Sequence, residues 1–305
     1  MNRRELLAGG ANVMAAAALS SRAGAANPGD GLILRKIPSS GEELAVIGLG
    51  TSRTFEVGES SAERAPLKDV LEAFFASGGR GRLIDTSPMY SSAERVLGEL
   101  MMPDMHQKAF LATKVWTRGE RSGIEQMTHS AHLLAGGARL DLIQVHNLLD
   151  LDTQLKTLRK WKDAGRVRYV GVTHYTVGAH AELARVLTRE KLDFVQFNYS
   201  PVTRAAEKQL LPLAAQRGVA VLVNRPFEDG ALFQAVRGKP LPAWAADVQA
   251  ASWGQLALKF IAAHPAVTCI IPATGKLAHL KDNLGGGRGR LPDARQREAI
   301  AQAFA

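Results

Sequence analysis

The chain has 305 residues, of which 46% are hydrophobic and 22% charged, with a formal net charge of +9. That length suits one large α/β domain, and no apolar stretch reaches the roughly 18 residues a membrane-spanning helix needs. Arginine and lysine are scattered among acids with no basic run interleaved with aromatics, so the charge describes a solvated basic surface and excludes an obvious nucleic-acid face.

The N-terminus differs from the rest. "MNRRELLAGGANVMAAAALSSRAGAANPGD" carries the pair Arg3 and Arg4, then "ELL", a weakly apolar Ala-rich stretch and the small-residue site Ala23-Gly24-Ala25. This order resembles a twin-arginine export signal. It implies that residues 1–25 are a signal peptide read by the twin-arginine export machinery, and that residues 26–305 reach the periplasm as one folded domain.

Next, "GLILRKI" and "ELAVIGLGTS" flank the polar turn "PSSGE", which predicts a short hairpin feeding a first core strand. Eight buried-strand candidates follow one another: "AVIGLG", "RLIDT", "AFLATK", "LDLIQVH", "RYVGVT", "DFVQFN", "VAVLVN" and "TCIIP". Between them lie helical patterns with apolar residues three and four apart, such as Leu67, Val70, Leu71, Phe74 and Phe75, or Leu183, Val186 and Leu187. Ser91 and Glu94 have the spacing of a capping box at the start of another.

Strands alternating with helices imply parallel pairing, and eight such units close a (β/α)8 TIM barrel. An open doubly wound sheet would place a Gly-rich fingerprint after its first strand. "GLGTSR" supplies only the first two glycines of that pattern, and "GGGRGR" follows no strand. "LAHLKDNL" and "PDARQREAIAQAF" predict C-terminal extra helices, and no Pro- or Ser-rich linker divides the chain. Because the sequence stops soon after the second of these, an open pocket without a long C-terminal roof is expected. Cys269, in the apolar run "VTCIIP", reads as a buried small side chain. His129 and His132 are three apart on a helical pattern but lack a third ligand, so they read as a solvated helix face.

In such a barrel, residues at the carboxyl ends of different strands converge on one mouth. Asp85 ends the second strand, Tyr90 follows it in "LIDTSPMY", Lys114 ends the third in "LATK", and His146 ends the fourth in "LIQVH". Each alone has an ordinary explanation as a loop acid, rim aromatic, solvated cation or core histidine. Together, a carboxylate, ammonium, phenol and imidazole form a proton-donating set. The ammonium favours phenolate and so eases proton release, the carboxylate holds the ammonium, and the imidazole orients a carbonyl oxygen.

From about residue 32 onward, "LIDTSPMY", "SAERVLGELM", "LATKVW", "LDLIQVHNL", "GRVRYVGVTHY", "FVQFNYSP" and "IPATGKLAHLKDNL" stand in order. They resemble the blocks of the aldo-keto reductases, nicotinamide-dependent carbonyl reductases on a (β/α)8 barrel. The resemblance implies that Asp85, Tyr90, Lys114 and His146 are the catalytic tetrad of an oxidoreductase acting on a small carbonyl substrate, with Tyr90 as general acid. It implies that Gln196, Thr173 and His174 contact the nicotinamide carboxamide, the last two standing where the family commonly has Ser-Asn. Asn224 and Arg225 stand where many members stack a tyrosine on the nicotinamide, a task that would pass to a guanidinium. Thr51 and Ser52 look like ribose-side contacts, while Thr274, His279 and Asn283 fall on the family's NADP-binding positions. Ala273 and His279 replace common cations there, and Lys276 is placed to supply charge to a 2′-phosphate, which sets NADP(H) ahead of NAD(H) as cofactor. Trp116 and Asn147 are candidate wall residues. The alternative on the same barrel is a nucleotide-binding redox sensor or interaction subunit with little turnover.

Overall fold

The structure is a computed structural model that describes residues 31–305, so the export-signal reading of residues 1–25 lies outside the described residues. Two short strands, β1 (Leu34–Lys36) and β2 (Glu43–Ala45), pair antiparallel across the turn that "PSSGE" predicts. Eight parallel strands follow: β3 (Leu49–Gly50), β4 (Arg82–Asp85), β5 (Ala109–Val115), β6 (Leu140–His146), β7 (Val167–Thr173), β8 (Phe194–Asn198), β9 (Ala220–Asn224) and β10 (Val267–Ile270). Each pairs with the next in sequence, and a helix-containing connection joins each to the next. The fold is a (β/α)8 barrel. Its seam is closed by parallel bridges from Ile47 to Ile270 and from Gly50 to Ala273. Gly50 lets the two edges approach, since a Cβ there would lie 2.8 Å from the Ile271 carbonyl oxygen.

Strand alternation divides the apolar residues into two cores. One set faces the barrel interior: Leu83, Phe110, Leu142, Tyr169, Phe194 and Leu222, closed from below by Ile37 and Leu44 of the hairpin. Phe110, Tyr169 and Phe194 meet there with ring centres 5.5 to 5.8 Å apart. The other set, including Ile84, Leu111, Ile143, Val172, Val195 and Val223, packs outward against the helices. The helix Ser61–Ala76 meets it through Leu67, Val70, Leu71, Phe74 and Phe75, and the helix His180–Arg189 through Leu183, Val186 and Leu187, as their spacing predicts. Cys269 is buried inside the barrel, and His129 and His132 are exposed on the helix Glu120–Ala135.

One local expectation fails. Ser91 does not cap the helix Ala93–Leu100: it has a left-handed backbone with φ 45°, and the helix starts from Ser92 without a side-chain cap. Glu94 turns away from the helix end and accepts hydrogen bonds from Thr113 of β5 and Ser130 of the helix Glu120–Ala135. Two buried hydroxyl donors across the helix–strand interface hold the carboxylate in place of a backbone N–H.

Candidate active site

The alternation that fills the lower barrel with apolar side chains carries on upward with polar ones. Interior positions Leu83, Phe110, Leu142, Tyr169, Phe194 and Leu222 are succeeded two or four residues later by Asp85, Lys114, His146, Thr173, Gln196 and Asn224. All of these but Lys114, which lies just beneath, form the floor and wall of one cavity of about 800 Å³ at the carboxyl ends of the strands. Thr51, Ser52, Asp85, Tyr90, His146, Thr173, Gln196, Asn224, Arg225, Thr274, His279 and Asn283 all line it, as do Trp116 and Asn147. Met89, Trp116, Tyr175 and Phe233 leave apolar surface exposed at its rim.

Lys114 lies beneath this surface, fully buried, and donates to Asp85 Oδ2 at 2.5 Å and to the Thr86 carbonyl at 2.7 Å. Its ammonium is 4.9 Å from the centre of the Tyr90 ring. Burial disfavours the charge, but Asp85 and Tyr90 outweigh it, and the Lys114 pKa stands above the ordinary lysine value. Asp85 Oδ1 accepts from Gln144 Nε2 at 3.2 Å and from Gln196 Nε2 at 3.0 Å. Gln196 Oε1 in turn accepts from Thr173 Oγ1 at 2.9 Å and Asn224 Nδ2 at 3.2 Å. One hydrogen-bonded chain thus runs from the ammonium through the carboxylate to the amide wall.

Burial acts on the phenol alongside the neighbouring ammonium. Burial raises the Tyr90 pKa, Lys114 pulls it down, Asp85 pushes it up again, and the balance lies above 10. Lys114 moderates the rise without reversing it, because the same burial that brings the two together also disfavours phenolate. Tyr90 therefore holds its proton at neutral pH and is an acid ready to donate. His146 packs edge-on to Tyr90 with ring centres 6.2 Å apart. Burial, helped by the Lys114 charge, depresses its pKa to about 3, so it is a neutral imidazole.

Two candidates do not reach the cavity. His174 folds into its own loop, where Nδ1 accepts from the backbone N–H groups of Tyr175 and Thr176 at 3.0 and 3.3 Å and the ring stacks on Tyr175. Only its carbonyl faces the wall, accepting from Asn224 Nδ2. Lys276 is exposed just before the helix Leu277–Gly285, its N–H bonded to Thr274 Oγ1, and its side chain is not part of the lining. Arg225 lines the cavity but pairs with Asp229 at 3.2 Å, the rim arrangement of an ion-paired arginine.

Sequence reasoning passed over Gln144, Ser87 and Asp282. Gln144 and Ser87 sit two residues from His146 and Asp85 on the interior face, which is the signal that finds them. Gly171 makes room for Gln144: a Cβ there would approach the Gln144 side chain to 3.2 Å. Asp282 lines the cavity near Asn283 and is held by Ser252 and Gln255. Left-handed backbone at Arg53, Ser91, Asn147, Leu148, Asp150, Arg225, Glu228 and Asp229 falls in the loops beyond β3, β4, β6 and β9, all on this face. Strain gathers where the site is built. Among the described residues, no cluster of acids, histidines and cysteine could hold a metal ion.

The aldo/keto reductase family model matches residues 46–299, which span the barrel and all four central groups. The chain belongs to the aldo/keto reductase family. Among curated proteins, it is 25% identical over 177 residues to an NADH-specific methylglyoxal reductase of Escherichia coli, covering 49% of this chain and 53% of the relative. It is 30% identical over 152 residues to an uncharacterized oxidoreductase of Schizosaccharomyces pombe, covering 49% and 47%. The chain spans about half the length of these curated relatives. In structure it resembles an aldo-keto reductase of Bacillus halodurans in its holo form, with TM-score 0.70, 20% identity, and 90% and 97% of the two chains covered. It also resembles an aldo-keto reductase of Klebsiella pneumoniae in complex with NADPH, with TM-score 0.71, 22% identity, and 87% and 92% covered. At such identity these neighbours speak for the fold.

Proposed function

We propose that this aldo/keto reductase reduces an aldehyde or ketone to the alcohol, with Tyr90 as general acid and NADP(H) as cofactor, NAD(H) being second choice. The observation that carries the reading is the buried Lys114 ammonium, paired with Asp85 and set against Tyr90 beside a cavity of about 800 Å³.

The wall fits a dinucleotide's nicotinamide end. Asn224 Oδ1 and Asn147 Oδ1 are buried acceptors without a partner among the described residues, and both residues line the cavity, as a carboxamide donor requires. Thr51, Ser52, Thr173, Gln196 and Asn224 would hold that end, and Thr274, His279 and Asn283 the adenosine end, with exposed Lys276 near a 2′-phosphate. When bound, the reduced cofactor supplies the hydride.

The chain's own groups do the rest. The Tyr90 hydroxyl gives its proton to the carbonyl oxygen as negative charge develops there. Lys114 stabilises the phenolate left behind, and Asp85 keeps the lysine charged and aimed. His146, neutral, donates a hydrogen bond to the same oxygen and fixes the carbonyl's orientation. In the reverse direction Tyr90 is the base. For the cofactor choice, the Klebsiella pneumoniae neighbour was solved with NADPH, while the Escherichia coli relative is NADH-specific.

We further propose that residues 1–25 direct export in folded form, which suits a protein that must capture its nucleotide before leaving the cytoplasm and keep it tightly bound and internally recycled in the periplasm. Replacing Arg3 and Arg4 by lysine should trap the protein in the cytoplasm; unaltered periplasmic recovery defeats the export reading.

NADPH and NADH oxidation with a panel of aldehydes and ketones, with the alcohol product identified, tests the central proposal. Turnover with alcohol formation is expected. Tight NADP binding without turnover on any carbonyl would favour a sensor or interaction subunit instead.

A further inference from the structure

We propose that Ser87 is a positioning residue that holds His146 with its single proton on Nε2, so that an N–H donor faces the reacting carbonyl oxygen. The inference rests on the carbonyl-reductase reading for its consequence, but the tautomer itself can be measured without turnover.

Ser87 is fully buried and lies two residues past Asp85, on the interior side of the barrel. Its Oγ is 3.2 Å from His146 Nδ1 and also accepts from the Met89 backbone N–H at 3.2 Å. These are its only partners among the described residues. His146 lines the cavity, and its Nε2 is bonded to no described residue.

The neutral ring carries one proton, and only one placement gives the buried Ser87 hydroxyl proton an acceptor among the described residues. With the proton on Nδ1, Ser87 Oγ would accept twice, from Nδ1–H and from Met89 N–H, and its own O–H would be buried with no acceptor among the described residues. With the proton on Nε2, the Ser87 O–H donates to the Nδ1 lone pair while Oγ still accepts from Met89. The second arrangement pairs both Ser87 Oγ and His146 Nδ1 and leaves Nε2–H, the remaining donor, to the cavity that His146 lines. Burial and the Lys114 charge keep the ring neutral, with a pKa of about 3, so the choice is between tautomers and not between charge states.

The tie also fixes the ring plane. Ser87 joins the loop after β4 to the tip of β6 across 59 positions of sequence, so the loop that presents Tyr90 and the histidine that shares its target oxygen are held as one unit. Without the hydroxyl, the ring is free to turn and to place its lone pair toward the substrate. Glu94, the other buried titratable group nearby, is turned to the outer side of β5 and does not reach the cavity.

Two-bond ¹H–¹⁵N correlation spectra of the full protein labelled at histidine nitrogen, with His146→Gln to assign the ring, test the tautomer at neutral pH. A protonated Nε2 and an unprotonated Nδ1 are expected; a protonated Nδ1 overturns the proposal, whether or not any carbonyl is turned over. Ser87→Ala should lower kcat roughly 10- to 100-fold while leaving the KM for nucleotide near the wild-type value, as loss of a group that orients another group does. Ser87→Thr, which keeps the hydroxyl, should restore most of it. Wild-type kcat in a folded Ser87→Ala variant would also overturn the proposal. If Ser87→Ala does not fold, the Ser87→Thr variant and the wild-type spectrum still decide it. Failure of the wild type to reduce any carbonyl would instead sink the functional reading while leaving the spectrum to judge the tautomer.

Discussion

The tips of β4, β5, β7 and β8 and the segment after β10 surround the same cavity, yet they are built in opposite ways. At the strand tips, Lys114, Asp85, Gln196 and Thr173 are buried and bonded to one another before any ligand arrives. Of the candidate cofactor contacts after β10, Lys276 and His279 are exposed, as is Ala273, whereas Thr274 and Asn283 are buried. On the proposed function, the contrast separates chemistry from capture. Charge that must act on a transition state is fixed in a dry interior where it needs no reorganisation. Charge placed to attract a phosphate would then lie on exposed side chains in water, where a pair is worth little.

The sharpest way to break this contrast is to remove a cation from each region. Lys114→Met strands the Asp85 carboxylate in the interior. It should cost about 3–5 kcal/mol of stability by denaturant unfolding, together with nearly all activity. A loss below about 1 kcal/mol would mean that the pair is not buried as described. Gln144→Leu removes one of the donors to Asp85 Oδ1 without removing charge. Urea melts should show a loss of about 1–3 kcal/mol, with kcat falling more than KM rises.

Acid titration sharpens the comparison from another side. The His146 pKa is depressed from its ordinary 6.5 to about 3, so its contribution is fully present above pH 6.5 and is lost as pH falls towards 3. The slope from this one group is at most about 1.4 kcal/mol per pH unit. Urea midpoints taken between pH 7 and 4 should fall less steeply in His146→Gln than in the wild type. Over the same range kcat should show no inflection near 6.5 from this histidine, and loss of reduction through phenol ionisation is expected only above pH 10, since the Tyr90 pKa is raised. The smallest effect belongs to the outer region. Lys276→Met should raise the KM for NADPH by a few-fold, on the order of 1 kcal/mol or less, and leave the KM for NADH and the urea midpoint unchanged. A loss of NADPH binding as large as that caused by a buried change would erase the distinction between the two regions.

The barrel was legible in the sequence because its eight strands alternate cleanly and their tips break that pattern with polar residues. Asp85, Lys114 and His146 announce themselves by ending apolar runs. Ser87 and Gln144 share the same face but are small or neutral, and nothing local marks a serine or glutamine as buried and bonded to His146 or Asp85. Ser91 and Glu94 show the reverse failure. Their spacing fits a helix cap, but Thr113 and Ser130, distant in sequence, offer Glu94 better partners. The net direction of the Tyr90 shift is not legible for a related reason: proximity to Lys114 can be inferred from strand order, whereas the extent of burial depends on the whole rim. His174 carries a suitable side chain at a suitable position, yet its Nδ1 is already committed to the turn that follows.

The most direct test of the central claim is single-turnover mixing of a carbonyl with protein carrying prebound NADPH, in the wild type and in Tyr90→Phe. The variant keeps the ring and loses only the acidic proton. The wild type should consume NADPH in one fast phase, and Tyr90→Phe, with nucleotide binding unchanged, should do so about 10²- to 10⁴-fold more slowly. Equal rates in the two proteins would contradict the assignment of Tyr90 as the acid.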